Sequence, residues 1–326
     1  MKKKQVLAGI LAAAMVLSGL PVQQTYAADA VPQADGAEVL PQAEDVEAVP
    51  RAEGAAELKL SFEDNLADAS GKSVQVTENN GTVSYTEGIK GKAALFNGST
   101  SLSLGQGEGL SPQNLTLSFW IKPPAGGMGN DEQLITWNKK EWHTDGWYLG
   151  TQKSQPLILS VGPAKSGGQP YLLNISGNRD EFFPPNQWTH IAVTYDSGSK
   201  EAAVYRNGIK QALNVGFPLG GESTGVVGSV PDTTKTIGYN GTVHKGAFLK
   251  NIALDEYELY SRVYSQEDVI ALYDAVSPNK FDKKAVAQSD IDALKIPETT
   301  SRNLALLKEG ASGSVITWES SDTDVI

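Results

Sequence analysis

Short runs of alternating apolar and polar residues, separated by Gly, Asn, Asp and Ser, fill the chain from Leu58 to about Tyr260. Examples are LKLSF, LTLSFWIK, GWYLG and WTHIAVTYD. Alternation with period two directs successive side chains to opposite faces of a strand, and short strands with regular turn signals are typical of β-sandwiches. About a dozen such runs predict an all-β chain built of two antiparallel sheets.

Two local signals agree with this prediction. Asn207-Gly208 lies between two strand-like runs and suits a type I′ hairpin turn, because both central residues of that turn need positive φ. The stretch SQEDVIALYDA, residues 265–275, has helical periodicity, with Ser265 placed to cap it and Asp268 at the N3 position. We therefore expect one short C-terminal helix after the last strand.

The composition limits how the fold is stabilised and what it binds. The chain has no cysteine, so its stability has to come from a sizeable hydrophobic core, with or without a bound metal. The formal net charge is −11, which disfavours nucleic acid as a partner.

Residues 1–28 have the pattern of a secretory signal peptide. Three lysines precede an apolar run from about Val6 to Leu20, and small residues follow around Ala27. The run is shorter than the ~20 residues that a membrane-spanning helix needs, and no later run is apolar enough to span. We expect a secreted, extracellular protein with no membrane anchor.

The segments that flank the patterned region have a different character. Residues 29–56 are rich in Ala, Pro and acid, with prolines at 32, 41 and 50, and predict a disordered acidic linker or, alternatively, a partner-binding tail. Residues 277–326 predict a further linker and the first strands of another β module. Too few residues remain for a sandwich of roughly 100 residues, so we expect the natural polypeptide to be longer.

The run WTHIAVTYDSGSKEAAVYRNGIK, residues 188–210, resembles the central hairpin of laminin-G-like, concanavalin A-like jelly rolls. LSFEDNLADASGK, GKAALFNGSTSLSL, LTLSFWIKP and NIALDEYELY resemble the opening, second, third and closing strands of that family, in the same order. The resemblance implies a jelly-roll sandwich over residues 57–276. The tail SVITWESSDTDVI is similar to the start of small bacterial immunoglobulin-like modules, which accompany such jelly rolls in secreted polysaccharide-degrading enzymes.

The closing strand, ALDEYELY, contains the acids with the strongest catalytic potential. Jelly-roll glycoside hydrolases of the laminarinase type carry Glu-x-Asp-x-x-Glu, but Ala253 stands where their first Glu should be. Glu256 and Glu258 are two residues apart, ~6.6–6.8 Å between Cα atoms, a spacing within the ~5–9.5 Å range of catalytic carboxylate pairs. Because the first acid is missing, we expect no catalysis and a solvated face for both glutamates.

Strict alternation predicts that Asp255 shares a face with Tyr257 and Leu259, which we expect to pack inward. The resemblance also implies a structural calcium ion, since the matching Asp of the closing strand commonly binds one. Calcium prefers six to eight oxygen ligands. The positions that match are Glu63, Asp64, Asn97, Thr100 and Asp255. Alternatively, Asp255 accepts backbone N–H groups and only caps a turn.

Two polar loops are candidates for ligand binding. The first places Trp142 and His143 near Asp145 and Asn138, so that an exposed indole could stack on a sugar ring while polar groups bind its hydroxyls. The second contains Arg179 and Asp180. The alternative for the first loop is that its aromatic residue folds back onto the sandwich.

We therefore expect a non-catalytic, monomeric, carbohydrate-binding jelly roll that belongs to a longer secreted polysaccharide-degrading protein and binds glycan rather than nucleic acid or membrane. The alternatives are a glycoside hydrolase in its own right and an adhesion or spacer module without glycan affinity.

Overall fold

The computed structural model describes residues 11–16, 21–25, 55–163, 170–218, 224–239, 246–295 and 306–320. The chain divides into two compact units. The larger unit, Ala52–Lys280, contains the whole of the predicted jelly roll and is called the sandwich below. The smaller unit combines residues 1–51 with residues 281–326.

The strands are short, as the alternating runs predict. In chain order they are β1 Leu11–Val16, β2 Pro21–Thr25, β3 Leu58–Leu60, β4 Thr77–Asn79, β5 Ser84–Glu87, β6 Lys92–Asn97, β7 Ser101–Gly105, β8 Asn114–Lys122, β9 Gln133–Lys139, β10 Gly146–Gln152, β11 Gln155–Val161, β12 Tyr171–Ile175, β13 Thr189–Asp196, β14 Ala202–Arg206, β15 Ile209–Gln211, β16 Asn214–Phe217, β17 Lys235–Ile237, β18 Lys250–Tyr260 and β19 Val315–Ser320. The helices are α1 Arg179–Phe182, α2 Gln266–Val276 and α3 Lys283–Ala293, with a 3₁₀ turn at Glu108–Leu110.

Two antiparallel sheets form the sandwich. Sheet I has the order β15-β14-β13-β8-β18-β6-β5, and β3 also pairs with β18. Sheet II has the order β16-β12-β11-β10-β9-β17-β7-β4. The predicted all-β, two-sheet architecture is confirmed.

The core lies between the two sheets. Leu117 and Phe119 of β8 contribute to it from sheet I, and Leu149 of β10 and Leu159 of β11 contribute from sheet II. Each such buried side chain stabilises the fold by about 1.5–3 kcal/mol relative to an exposed one. The apolar residues of the alternating runs therefore form the contact between the two sheets.

Strand β13 is covered on both faces. Ile191 and Val193 face the core, whereas Ala192 belongs to a second buried cluster on the outer face of sheet I. Helix α2 covers that outer face. Its N-terminus has the predicted capping box, in which the Ser265 side chain accepts a hydrogen bond from the Asp268 N–H.

A β-bulge in β18 overturns one expectation from strict alternation. Asp255 pairs with Trp120 and Glu258 with Ser118, so two residues of β18 lie opposite Phe119, and Glu256 has a φ of 43°. The extra residue moves Asp255 to the outer face. Its predicted shared face with Tyr257 and Leu259 is wrong, although those two residues do pack into the core.

In the smaller unit, β19, β1 and β2 form a three-stranded antiparallel sheet in that order. Ala287 and Ile291 of α3 pack against Ile316 of β19. The segment predicted to be a signal peptide thus contains two strands, and both its cleavage and the immunoglobulin-like nature of the tail stay predictions. Nearly all of the predicted linker, residues 29–54, lies outside the described residues.

Among the described residues, the helices are too short and too polar to cross a membrane.

The Asn207-Gly208 turn offers a test of the hairpin prediction. Both residues have positive φ, 51° and 80°, and the Asn207 side chain accepts a hydrogen bond of 2.8 Å from the His190 N–H. We expect Asn207→Ala to lower the free energy of unfolding by about 2 kcal/mol, since it loses a hydrogen bond and places a Cβ in left-handed backbone without a compensating polar contact. Asn207→Gly should cost about half as much, because glycine tolerates this backbone. Urea unfolding measures both, and equal losses would contradict the backbone contribution.

Candidate functional site

The two glutamates of the closing strand are buried rather than solvated. Glu256 and Glu258 are 7% and 6% exposed. Glu258 accepts a hydrogen bond of 2.5 Å from the Lys59 ammonium through one oxygen and a hydrogen bond of 2.6 Å from the Tyr260 hydroxyl through the other. The predicted solvated face is therefore wrong, because β3 brings Lys59 across β18 and covers it.

Burial also raises the pKa of Glu256, while the Lys59 ammonium opposes this shift and the Glu258 carboxylate adds to it. A catalytic pair needs one acid that can donate a proton and one that can accept it at a substrate. Here both oxygens of Glu258 are already engaged by protein groups. The closing strand thus has the polar contacts of a structural element.

Asp255 joins β18 to the turn between β5 and β6. Its Oδ2 accepts hydrogen bonds from the backbone N–H groups of Ile89 at 3.0 Å and Lys90 at 3.4 Å, and its Oδ1 accepts one from Glu256 N–H at 2.8 Å. Burial raises the pKa of Asp255 to about 7, against the pull of these hydrogen bonds. The Glu63 carboxylate accepts a hydrogen bond from Lys92 N–H at 3.0 Å at the other side of the same turn.

Oxygen atoms crowd around the two glycines of this turn. A Cβ added to Gly88 would lie 2.5 Å from Asp255 Oδ2, 2.7 Å from the Lys92 carbonyl oxygen and 2.8 Å from the Lys90 carbonyl oxygen. A Cβ on Gly91 would lie 2.2 and 2.3 Å from the two oxygens of Glu63. We call residues 88–91 with Asp255 and Glu63 the acidic turn.

The donor set of the acidic turn fits calcium, which binds carboxylate and carbonyl oxygens together. Within the described part of the chain no three His, Cys, Asp or Glu side chains group as ligands for a metal ion, so a calcium ion at this turn would depend on backbone carbonyls in addition to its two carboxylates.

The other predicted calcium ligands, Asp64, Asn97 and Thr100, do not belong to the acidic turn. Asn97 Oδ1 accepts hydrogen bonds from the Ser99 and Thr100 N–H groups at 3.0 and 3.2 Å, which closes a turn at the far end of β6. Lys92 begins β6 and Asn97 ends it, about 17 Å away at ~3.4 Å per residue. Asp64 is exposed in the loop beside Glu63. The structure therefore brings together Glu63 and Asp255 and separates them from Asn97 and Thr100.

The loop between β9 and β10, residues 140–145, holds the predicted sugar-binding aromatic residue. The half-buried Trp142 ring packs on Tyr148 with 5.3 Å between ring centroids, and Tyr148 stacks on Trp137 at 5.1 Å. His143 is exposed. These rings belong to an apolar cluster on the outer face of sheet II: Leu134, Trp137, Tyr148, Ile158, Leu172, Tyr239 and Ala247, with Trp142 and Phe248 at its edge. The loop aromatic thus folds back onto the sandwich while part of it stays accessible.

Asn138 and Asp145, the other two predicted partners of Trp142, make their contacts with other segments of the chain. Asn138 faces inward opposite Trp147, is 1% exposed and donates a hydrogen bond of 2.6 Å to the Leu110 carbonyl. Asp145 lies against Gly228, where an added Cβ would come within 2.3 Å of its carboxyl group. Gly228 lines a cleft of about 230 Å³ with Ser111, Pro112, Gln113 and Ser229.

Arg179 and Asp180 support the loop before β9. Arg179 is 1% exposed, and its guanidinium donates hydrogen bonds to the carbonyls of Asp131 at 2.7 Å, Met128 at 3.0 Å and Gly129. Asp180 accepts a hydrogen bond from Met128 N–H at 3.3 Å. The residues predicted to bind a ligand in the two loops therefore do not form one site.

The sequence analysis did not identify Lys139, a buried residue that contacts the loop between β9 and β10. Its ammonium donates hydrogen bonds to three backbone carbonyls, and burial lowers its pKa to about 7. In the sequence it is the first of two adjacent lysines, and only its position as the last residue of β9 distinguishes it from the exposed Lys140.

A family model described as the concanavalin A-like lectin/glucanases superfamily, of the laminin G type, matches residues 96–270, more than half of the chain. The chain belongs to this superfamily. The match covers most of both sheets, from the end of β6 to the first residues of α2. The comparison with curated proteins gave no match.

Among the solved structures that are similar to this chain, two toxin binding domains share its fold. The binding domain of Paraclostridial mosquitocidal protein 1 superposes with a TM-score of 0.53 at 20% identity, over 68% of this chain and 52% of that one. The binding domain of botulinum neurotoxin DC in complex with SialylT gives 0.50 at 15% identity, over 69% and 52%. Domain 4 of AbnA, a GH43 extracellular arabinanase from Geobacillus stearothermophilus, in complex with arabinotriose, gives 0.47 at 22%, over 67% and 98%. The chain spans about half the length of the toxin binding domains.

Substitution of Arg179 tests whether the second predicted loop has a structural role or binds a ligand. We expect Arg179→Met to lower the free energy of unfolding by about 2–4 kcal/mol, because buried carbonyls lose a charged donor. Asp180→Asn is the neighbouring control and should cost less than about 1 kcal/mol. Urea unfolding compares them. A variant of Arg179 with unchanged stability and weakened glycan binding would return this residue to the ligand-binding set.

Proposed function

We propose that the sandwich is a non-catalytic carbohydrate-binding module, part of a longer secreted polysaccharide-degrading protein, and that the Trp142 loop contacts the sugar. The observation that carries this proposal is the half-buried indole of Trp142, which is supported from below by Tyr148 and Trp137. An aromatic ring held in this way presents a flat apolar surface, on which the C–H face of a sugar ring can stack.

The polar surroundings of the ring suit a sugar as well. His143 is exposed in the same loop and can exchange hydrogen bonds with hydroxyl groups. Loops on a rigid sandwich commonly carry binding residues, since the sheets fix their ends while their sequences vary freely. Membership of a superfamily of lectins and glucanases, and the SialylT complex of one toxin domain with this fold, are consistent with sugar recognition.

The competing class is a glycoside hydrolase in its own right. The contacts of the closing strand argue against it, because the Lys59 ammonium and the Tyr260 hydroxyl occupy both oxygens of Glu258, and Ala253 stands at the position of the missing nucleophile. An adhesion or spacer module remains the alternative among non-enzymes, and glycan affinity separates the two.

We also propose that the acidic turn binds a structural calcium ion. Asp255 and Glu63 would supply carboxylate oxygens, and Lys90 and Lys92 would supply carbonyl oxygens. A cation there would favour the ionised form of Asp255, whose charge is otherwise disfavoured by burial. Its role would be to fasten β18 to the turn between β5 and β6.

Glycan binding by the full chain tests the proposed role of the Trp142 loop. Once a glycan array has identified a retained sugar, Trp142→Ala should weaken its affinity about five- to a hundredfold, since the lost apolar contact is worth on the order of 1–3 kcal/mol. Titration calorimetry measures the affinity. Trp188→Ala is the matched control, because Trp188 is also half-buried but packs under the Lys122 ammonium, 5.1 Å from its ring centroid.

Two outcomes would contradict the proposed function. Equal losses of affinity in the Trp142 and Trp188 variants would show that the Trp142 loop is not the contact surface. Release of reducing sugar by the unsubstituted chain, abolished in Glu258→Gln, would favour the hydrolase.

The thermal stability of the chain with and without calcium tests the proposed ion. A ligand that binds only the folded state stabilises it, by about 2.7 kcal/mol when its free concentration is one hundred times Kd. We expect calcium to raise the melting temperature of the unsubstituted chain and a chelator to reverse the effect. Asp255→Asn should abolish the calcium-dependent increment, whereas Asn97→Ala, at the far end of β6, should keep it. Melting curves that calcium and chelator leave unchanged would rule out the ion.

A further inference from the structure

We propose that Lys139 is the positioning residue of the Trp142 loop: its buried ammonium gathers three backbone carbonyls and thereby holds Trp142 against Tyr148. The inference deepens the proposed function, on which its relevance to sugar binding rests.

The geometry matches the three donors of an ammonium group. Lys139 Nζ donates hydrogen bonds to the carbonyl oxygens of Trp142 at 3.2 Å, Thr144 at 2.9 Å and Gly162 at 2.7 Å. A lysine ammonium has three N–H donors and no acceptor, so each donor has one carbonyl. The residue is 1% exposed, which excludes water as the usual partner of such a charge.

The three carbonyls come from two separate segments. Trp142 and Thr144 belong to the loop between β9 and β10, whereas Gly162 directly follows β11. The ammonium therefore connects the loop to the end of the neighbouring hairpin in sheet II. One of its three bonds is to the backbone of Trp142 itself, so the position of this residue depends directly on Lys139.

The electrostatic surroundings of the Lys139 ammonium agree with a role in positioning the Trp142 loop. Burial lowers the pKa of Lys139 to about 7, and the Asp145 carboxylate opposes this shift. The other charged or titratable residues of the loop, Lys140, Glu141 and His143, are exposed. A neutral amine has only two N–H donors, so loss of the proton near neutral pH would leave one of the three carbonyls without its donor.

The test follows the indole of Trp142 by fluorine NMR on the full chain labelled with 5-fluorotryptophan. The Trp142 resonance is the one that disappears in Trp142→Phe. Histidines titrate in the same pH range, so the His143→Gln chain serves as the background. We expect the Trp142 resonance in this background to titrate with a midpoint near pH 7.

Lys139→Met should abolish this titration and shift the Trp142 resonance at every pH, because the loop loses its shared donor. Lys140→Met, at the exposed neighbouring lysine, should behave like the background. A Trp142 resonance that keeps its position and its titration in Lys139→Met would overturn the inference. If Lys139→Met does not fold, Lys139→Gln replaces it, and an unchanged Trp142 resonance in that variant would overturn the inference in the same way.

Glycan binding gives a separate outcome. With arabinotriose, or a sugar retained on the array, Lys139→Met should weaken affinity by about the same factor as Trp142→Ala, and unchanged affinity would overturn the inference. Failure of every glycan to bind the unsubstituted chain would count against the proposed function alone, since the fluorine measurement uses no glycan.

Discussion

The pairing of β18 with its neighbours is the constraint on which the rest of the sandwich depends. This strand pairs with β8 along one edge and with both β6 and β3 along the other, so it joins the opening and closing segments of the sandwich in one sheet. Tyr257 and Leu259 anchor it in the core. Because β18 is covered on both faces, each acid that it carries has to find a partner within the protein.

The bulge at Glu256 determines which face of the sheet each of those acids occupies. Without it, Asp255 would face the core with Tyr257, where an unpaired carboxylate is costly. The extra residue instead turns Asp255 outward to the backbone N–H groups of the acidic turn and leaves Glu258 beside Lys59. A local irregularity of one strand thus converts a set of acids with catalytic spacing into structural contacts and a candidate calcium site.

Each outer face of the sandwich carries a buried cluster of apolar side chains. Helix α2 covers sheet I, and the loop that carries Trp142 packs on the aromatic cluster of sheet II. The proposed recognition surface is a loop, whose backbone must be held by contacts outside regular strands. The Lys139 ammonium is such a contact, and it acts over a region where strand pairing has already ended.

The sequence by itself determined the all-β architecture, the hairpin at Asn207-Gly208 and the capped helix after β18, because each depends on residues that are close together in the chain. It did not place the bulge at Glu256, since the two consecutive acids between Leu254 and Tyr257 break the alternation but no glycine or proline marks an inserted residue there. Nor could it reveal that Asn138 and Arg179 are buried, because the carbonyls that they bind belong to segments 28 and about 50 residues away in the chain. Only the tertiary structure decided which polar residues meet one another and which remain for a ligand. Burial and hydrogen bonding between distant segments set those outcomes, and neither is encoded in local periodicity.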